Sequence, residues 1–194
     1  HTNKIAYKPR SCKRALMKMI IRKLILILSL SMLVSCSSLI ITDSYPPLNT
    51  TAFDAQYYLV RHAEKTTEKV DPDLTELGRQ RAKDLADRLK GVPLTHIYSS
   101  NFKRTINTAK PVSNNKNLEI LLYNPKDLVG LSKELLSKEG IFLVVGHSNT
   151  TPDLSKFMGG IAGEPIIEAT EYNRLYILKR KGNAISSEIV VYGR

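Results

Sequence analysis

Three strand-like runs in this chain lead to residues that can handle a multiply charged anion. Gln56-Tyr57-Tyr58-Leu59-Val60 runs into Arg61-His62, and Ile141-Phe142-Leu143-Val144-Val145 runs into Gly146-His147. The short run Thr95–Ser99 leads across one loop to Arg104. No carboxylate stands among Arg61, His62, Arg104 and His147, so the guest they suit is an anion with several oxygens. An arginine fork sets paired N–H donors against phosphate oxygens, and its charge does not titrate away. A histidine can attack phosphorus with one ring nitrogen while a backbone acceptor holds the other. Taken alone, either histidine reads more readily as a satisfied loop residue than as a catalyst. Convergence at strand ends is what turns them into candidates.

Other chemistries find less support. His96 opens a strand without such company and reads as structural. The histidines show no H-x-H or H-x₃-H spacing and no neighbouring cysteine, so no zinc site is expected. Ser99 is not in a Gly-x-Ser-x-Gly elbow, which argues against serine hydrolysis. Ser148-Asn149-Thr150-Thr151 can cap a following helix or turn N–H groups towards a phosphate, with Asn149 a candidate substrate contact.

The elements that must position these residues alternate. After the strand at 56–60, Leu77, Ala82, Leu85, Ala86 and Leu89 are read as one helix face, with Thr75 as its cap and Gly91 as its stop. A strand at 95–99 precedes a helix over about 102–115, then a strand at 118–123 and a helix over 126–138 closed by Gly140. The apolar run 141–145 reads as a central strand covered on both faces. A helix over 152–158 and two late strands, about 175–179 and 184–192, follow, and Lys179-Arg180-Lys181 reads as a solvated hairpin tip. Such alternation predicts an α/β, three-layer α/β/α sandwich with a mostly parallel central sheet. Ligands of these sheets gather beyond the carboxyl ends of the strands, where the four candidates stand.

With those positions in place, LVRHAEK, YSSNFKRTINTAKP and VVGHSNTTP resemble the three motifs of the histidine phosphatase superfamily, phosphoglycerate-mutase-like branch. LTELGRQRAKDLADRL is similar to the helix that follows the family's first motif, and the likeness spans about 57–192. The resemblance implies that His62 is the nucleophile that becomes phosphorylated, with Arg61, Arg104 and His147 binding and stabilising the phosphoryl group. Ala63 departs from the glycine of many members. The family's general acid varies in position. Glu64, Glu119 and Asp127 are the candidates here, with Asp127 preferred, although a helix-start carboxylate is also favoured by the dipole alone. With no acid present, good leaving groups such as acyl phosphates or phosphohistidine would be favoured. The resemblance implies no metal and no organic cofactor. It leaves open a mutase, or a phospho-ligand-binding lipoprotein without turnover.

Length and charge set the frame around this domain. At 194 residues with 42% apolar and 24% charged residues, the chain is neither disordered nor fibrous nor a multi-span membrane protein. Its net charge of +11 suggests a nucleic-acid partner, but eight of the 29 Lys and Arg lie within residues 1–35, which hold no acid. The remaining 21 face all 18 Asp and Glu, so the body is nearly balanced and no nucleic-acid partner is expected. Arg22-Lys23, the eleven-residue run Leu24–Val34 and small residues at its end read as a signal peptide. Leu33-Val34-Ser35-Cys36 resembles a bacterial lipobox, in which the cysteine is lipidated. Met17 or Met19 would open a more usual signal, and Cys12 would then carry no function. The expected organisation is a basic signal segment at 1–36, a tether at 37–52 and a phosphatase domain at 53–194. It would be lipid-anchored and extracytoplasmic, acting on a small phosphorylated substrate or a phosphoprotein.

Overall fold

The computed structural model describes residues 54–193. The expectations for the signal segment, Cys12, Cys36 and the tether lie outside the described residues. Ten elements follow one another: β1 (Ala55–Arg61), α1 (Glu76–Arg88), β2 (His96–Ser100), α2 (Lys103–Lys116), β3 (Ile120–Tyr123), α3 (Leu128–Leu136), β4 (Gly140–Gly146), α4 (Thr150–Phe157), β5 (Arg174–Lys181) and β6 (Ala184–Val191). They build one six-stranded sheet in the order β3-β2-β4-β1-β5-β6. The first four strands of that order are parallel, whereas β5 runs antiparallel to β1 and β6 antiparallel to β5. Among the described residues no helix is long and apolar enough to cross a membrane.

The central strands are apolar at successive positions because both faces of the sheet are covered. Tyr58, Val60, Leu143 and Val145 pack with Leu85 of α1, with Leu89 at its C-cap, and with Ala109 and Val112 of α2. Tyr57, Leu59, Phe142 and Val144 pack on the other face with Leu131 and Leu135 of α3 and Leu154 of α4. Side chains that alternate across a strand therefore enter two separate cores, and the result is the expected three-layer sandwich.

Some local expectations need correction. Leu77 is 61% exposed, because the buried face of α1 runs through Gly78, Arg81, Ala82, Leu85 and Ala86. Leu77 sits one residue, about 100° of helix rotation, off that stripe. Lys179-Arg180-Lys181 belong to β5, paired with residues of β1 or β6, and the turn itself is Gly182-Asn183 with Gly182 at φ 59°. Arg180 Nη2 donates to the Lys138 carbonyl at 2.9 Å, which holds the strand end to the segment after α3.

Candidate active site

Strand register brings the motifs together. In the parallel β1–β4 pair Arg61 stands opposite Gly146, so His62 and His147 leave adjacent strands at the same level. The His62 amide donates to the Gly146 carbonyl at 2.9 Å, and the two imidazole rings lie edge to face at 5.5 Å. On the other side of β4, Ser99 pairs with Val145, which puts Ser100 next to His147. Glycine is needed at 146. A Cβ there would press on Thr150 Oγ1, Thr151 Oγ1 and the Tyr123 hydroxyl, all at 3.0 Å or less.

His62 is 3% exposed, and its Nδ1 lies 2.7 Å from the carbonyl oxygen of Ala63. A carbonyl only accepts, so Nδ1 carries the proton and Nε2 keeps its lone pair. Burial, with Arg61, His147 and Arg104 nearby, pulls the imidazole down to about 3, against the Ala63 contact that favours charge. The ring is thus neutral, and available as a nucleophile, throughout the physiological range.

Its loop is fastened from two sides. The Ala63 amide donates to Thr108 Oγ1 at 2.9 Å, and that hydroxyl donates to the Arg104 carbonyl at 2.7 Å. Behind it, Thr75 caps α1 by accepting from the Gly78 amide at 3.0 Å, and the Thr75 amide donates to the Glu64 carbonyl at 2.9 Å. A methyl group at Gly78 would overlap that same Glu64 carbonyl. The Leu-Thr-x-x-Gly segment therefore works as a clasp on the loop that carries His62.

Arg61 is 1% exposed. Its Nη1 donates to the Glu171 carbonyl at 2.9 Å and its Nη2 to the Glu168 carbonyl at 2.8 Å, with the guanidinium 4.0 Å over the Tyr172 ring. Arg104, at the start of α2, rests 4.4 Å over the Phe102 ring. Its Nη2 donates to His147 Nδ1 at 3.3 Å, and its Nη1 stands 4.0 Å from Asp71 Oδ1. Burial holds both guanidinium groups below their ordinary value. The Nε atoms of Arg61 and Arg104 are buried with no hydrogen-bond partner among the described residues. Two buried cationic donors left unmatched are a marked cost unless an oxyanion completes them. His147 is likewise pulled down to about 4 by burial, Arg104 and Arg61.

None of the acid candidates hydrogen-bonds to the four residues. Glu64 takes both of its oxygens to Arg81 Nε, at 2.8 and 2.9 Å, and one of them also to Nη2 at 2.7 Å. It braces the loop against Arg81 of α1. Glu119 is exposed just before β3, at the end of the sheet remote from the four residues. Asp127 is exposed and caps α3, its Oδ1 accepting from the Gly130 amide at 2.8 Å. No contact joins it to Arg61, His62, Arg104 or His147, so the leaving-group proton is not assigned to it. Asn149 is exposed at the N-cap of α4 and makes no capping bond, while Thr150 Oγ1 accepts from the His147 amide at 2.9 Å. His96 stacks on Phe142 with ring centroids 4.8 Å apart, at the opposite end of the sheet. Among the described residues no group of three His, Cys, Asp or Glu could hold a metal ion.

Sequence reasoning missed Ser100, Thr108, Phe102 and Tyr172. Ser100 and Thr108 stand four residues before and after Arg104 in a motif already quoted, and Thr108 shares its helix face. That spacing was the available signal. Tyr172 carries none, because the contact depends on how the 161–173 loop folds back over β1.

An α/β sandwich of this topology, with two histidines and two arginines at the carboxyl ends of adjacent strands, is of the phosphoglycerate-mutase-like class. The model of the histidine phosphatase superfamily (branch 1) matches residues 57–124. That match covers about a third of the chain, including Arg61, His62 and Arg104. It is similar to phosphoserine phosphatase 1 of Hydrogenobacter thermophilus, 46% identical over 70 residues, covering 32% of this chain and 33% of that protein. It is also similar to a probable phosphoglycerate mutase GpmB of Proteus mirabilis, 37% identical over 65 residues and 30% of each chain. The chain thus spans about a third of the length of these curated relatives. Among solved structures, the putative phosphohistidine phosphatase SixA from Agrobacterium tumefaciens superposes with a TM-score of 0.53. It is 19% identical and covers 72% of this chain and 97% of its own, a likeness of fold.

Proposed function

We infer that this chain is a phosphatase that hydrolyses phosphomonoesters, or a related small phosphorylated substrate, through a phosphohistidine on His62. The observation that carries the reading is the state of His62. It is buried and neutral, its Nδ1 is bound to the Ala63 carbonyl, and its Nε2 is left with a lone pair beside two arginines. In the first step the Nε2–phosphorus bond forms while the bond to the leaving oxygen breaks, and the leaving oxygen keeps the electron pair. Water then attacks the phosphohistidine and restores the imidazole. Arg61, Arg104 and His147 surround the equatorial oxygens, where fixed donors in a dry site give most of the rate.

Glu64 is held by Arg81, and neither Glu119 nor Asp127 hydrogen-bonds to the four residues; a substrate whose leaving group departs with little protonation needs none of the three. Acyl phosphates and phosphohistidine are of that kind, and the name of the Agrobacterium structure is consistent with the second. The test is rapid-quench labelling of the full chain with acetyl [³²P]phosphate and with a phosphomonoester. An acid-labile phosphoenzyme that disappears in His62→Ala supports the reading. Normal labelling in His62→Ala with none in His147→Ala would reverse the two assignments.

The apolar run before Cys36 and its basic flank support a lipid anchor and an extracytoplasmic setting. Cys36→Ala is then expected to abolish lipid labelling and membrane retention. Labelling that survives the substitution would overturn the anchor.

A further inference from the structure

With Arg104 against the ring, the hydrogen bonds around His147 favour one arrangement of its protons. Arginine has donors and no acceptor, so the 3.3 Å contact from Arg104 Nη2 makes Nδ1 of His147 an acceptor. A neutral imidazole then carries its proton on Nε2, which donates to Ser100 Oγ at 2.9 Å. The Ser100 hydroxyl donates onward to Thr105 Oγ1 at 3.1 Å, and Thr105 donates to the Ser100 carbonyl at 2.7 Å. Ser100 and Thr105 are fully buried, so water does not compete for these donors. The chain runs one way, from the imidazole to the backbone.

The consequence falls on Nδ1. Once Arg104 turns to a phosphoryl oxygen while Ser100 Oγ, its own proton on Thr105, still accepts from Nε2, His147 offers that oxygen a lone pair and not an N–H. A phosphoryl dianion has only lone pairs on its terminal oxygens, so no hydrogen bond forms unless a proton lies between the two. Resting on the reading of this site as a phosphoryl cradle, we propose that His147 takes up a solvent proton at Nδ1 as the dianion binds, and that Ser100 is the positioning residue that imposes this requirement. The step converts imidazole to imidazolium and breaks no bond in the substrate.

The surroundings of the ring fit such a change. It is faced by Arg61 at the end of β1 and His62 just after it, by Arg104 from α2, by the edge of Phe102 at 5.2 Å, and through Ser100 by Tyr123 of β3. Tyr123 is pushed up to about 12 by burial and stays neutral. In the empty site burial and the two arginines oppose a charge on His147. Two incoming negative charges reverse that balance.

Tungstate is the probe, since it is a tetrahedral oxyanion like phosphate, with a double negative charge and no proton of its own near neutral pH. Calorimetry of tungstate binding to the full chain near pH 7.5, in buffers of different ionisation enthalpy, counts the protons taken up. Roughly one proton per anion is expected. In Ser100→Ala the ring is free to move its proton to Nδ1 and donate directly, so uptake should fall below about half a proton while tungstate still binds. ¹⁵N spectra of histidine-labelled native chain add a readout that needs no variant. His147 should show an unprotonated Nδ1 when free and two protonated nitrogens in the complex. Binding without proton uptake, no binding, or unchanged uptake in Ser100→Ala would each overturn the proposal. If His62 still becomes phosphorylated in those cases, the proposal alone fails; if it does not, the cradle reading fails with it.

Discussion

Arg61→Lys separates charge from shape at the most buried cation of the site. The arginine has two separate tasks. Its Nη atoms hold the carbonyls of Glu171 and Glu168 at 2.9 and 2.8 Å, while its Nε remains unmatched. A lysine ammonium is a single point donor and cannot hold both carbonyls while it also meets a phosphoryl oxygen. A hydrogen bond to a charged group is worth roughly 1.5–3 kcal/mol, so losing one should release the 161–173 loop by about that much. Amide exchange in the loop should then rise about tenfold or more. Removing a preorganised donor typically costs about 3–4 kcal/mol of transition-state stabilisation, a fall of about 10²–10³ in kcat/KM. Both effects are measurable on one preparation, by hydrogen exchange and by turnover of para-nitrophenyl phosphate. A large fall in rate with unchanged exchange would refute the loop-holding role. A rate within about threefold of native would refute the clamp.

Asp127→Ala should lower stability by about 1 kcal/mol through loss of the α3 cap, with turnover changed less than about threefold. A loss near a hundredfold, seen in steady-state kinetics, would restore Asp127 as the acid. Gly78→Ala forces a methyl group into the Glu64 carbonyl and should cost about 1–3 kcal/mol in denaturant unfolding. Its kcat should fall with it, because Glu64 and His62 share the displaced loop. The two buried histidines predict acid lability. Their folded values, about 3 for His62 and about 4 for His147, lie below the ordinary 6.5, so the unfolded chain binds protons that the folded one refuses. Stability should be full above pH 6.5 and decline as the pH falls towards these values, by about 1.4 kcal/mol per unit for each histidine. Urea unfolding from about pH 7 to 5 measures this, and His62→Gln should flatten the slope; an unchanged slope would refute the assignment.

How much of this was legible in the chain itself differs from residue to residue. Strand and helix periods announced the alternation, because a doubly covered strand must be apolar throughout and a helix buries residues three and four apart. The motifs at the strand ends named His62, Arg61, Arg104 and His147, since short loops keep each next to the strand it follows. Thr75 was readable as a cap, because capping is decided within three residues.

Anything that depends on the sheet order was not readable. β1 and β4 pair residues 85 apart in the chain, Ala55 with Gly140 and Arg61 with Gly146, and their register alone sets the two imidazoles side by side. The same holds for the proton on each ring. His62 is fixed by its own neighbour, Ala63, but His147 is fixed by Ser100 and Arg104 from the other side of β4. The partners of the carboxylates were also decided by tertiary structure: Glu64 finds Arg81 only because α1 packs beneath its loop. The residue types and spacing in the chain determined which groups could do chemistry. Long-range hydrogen bonds decided which atom of each group is free to do it, because a donor or acceptor is claimed by whichever partner the fold brings within about 3 Å.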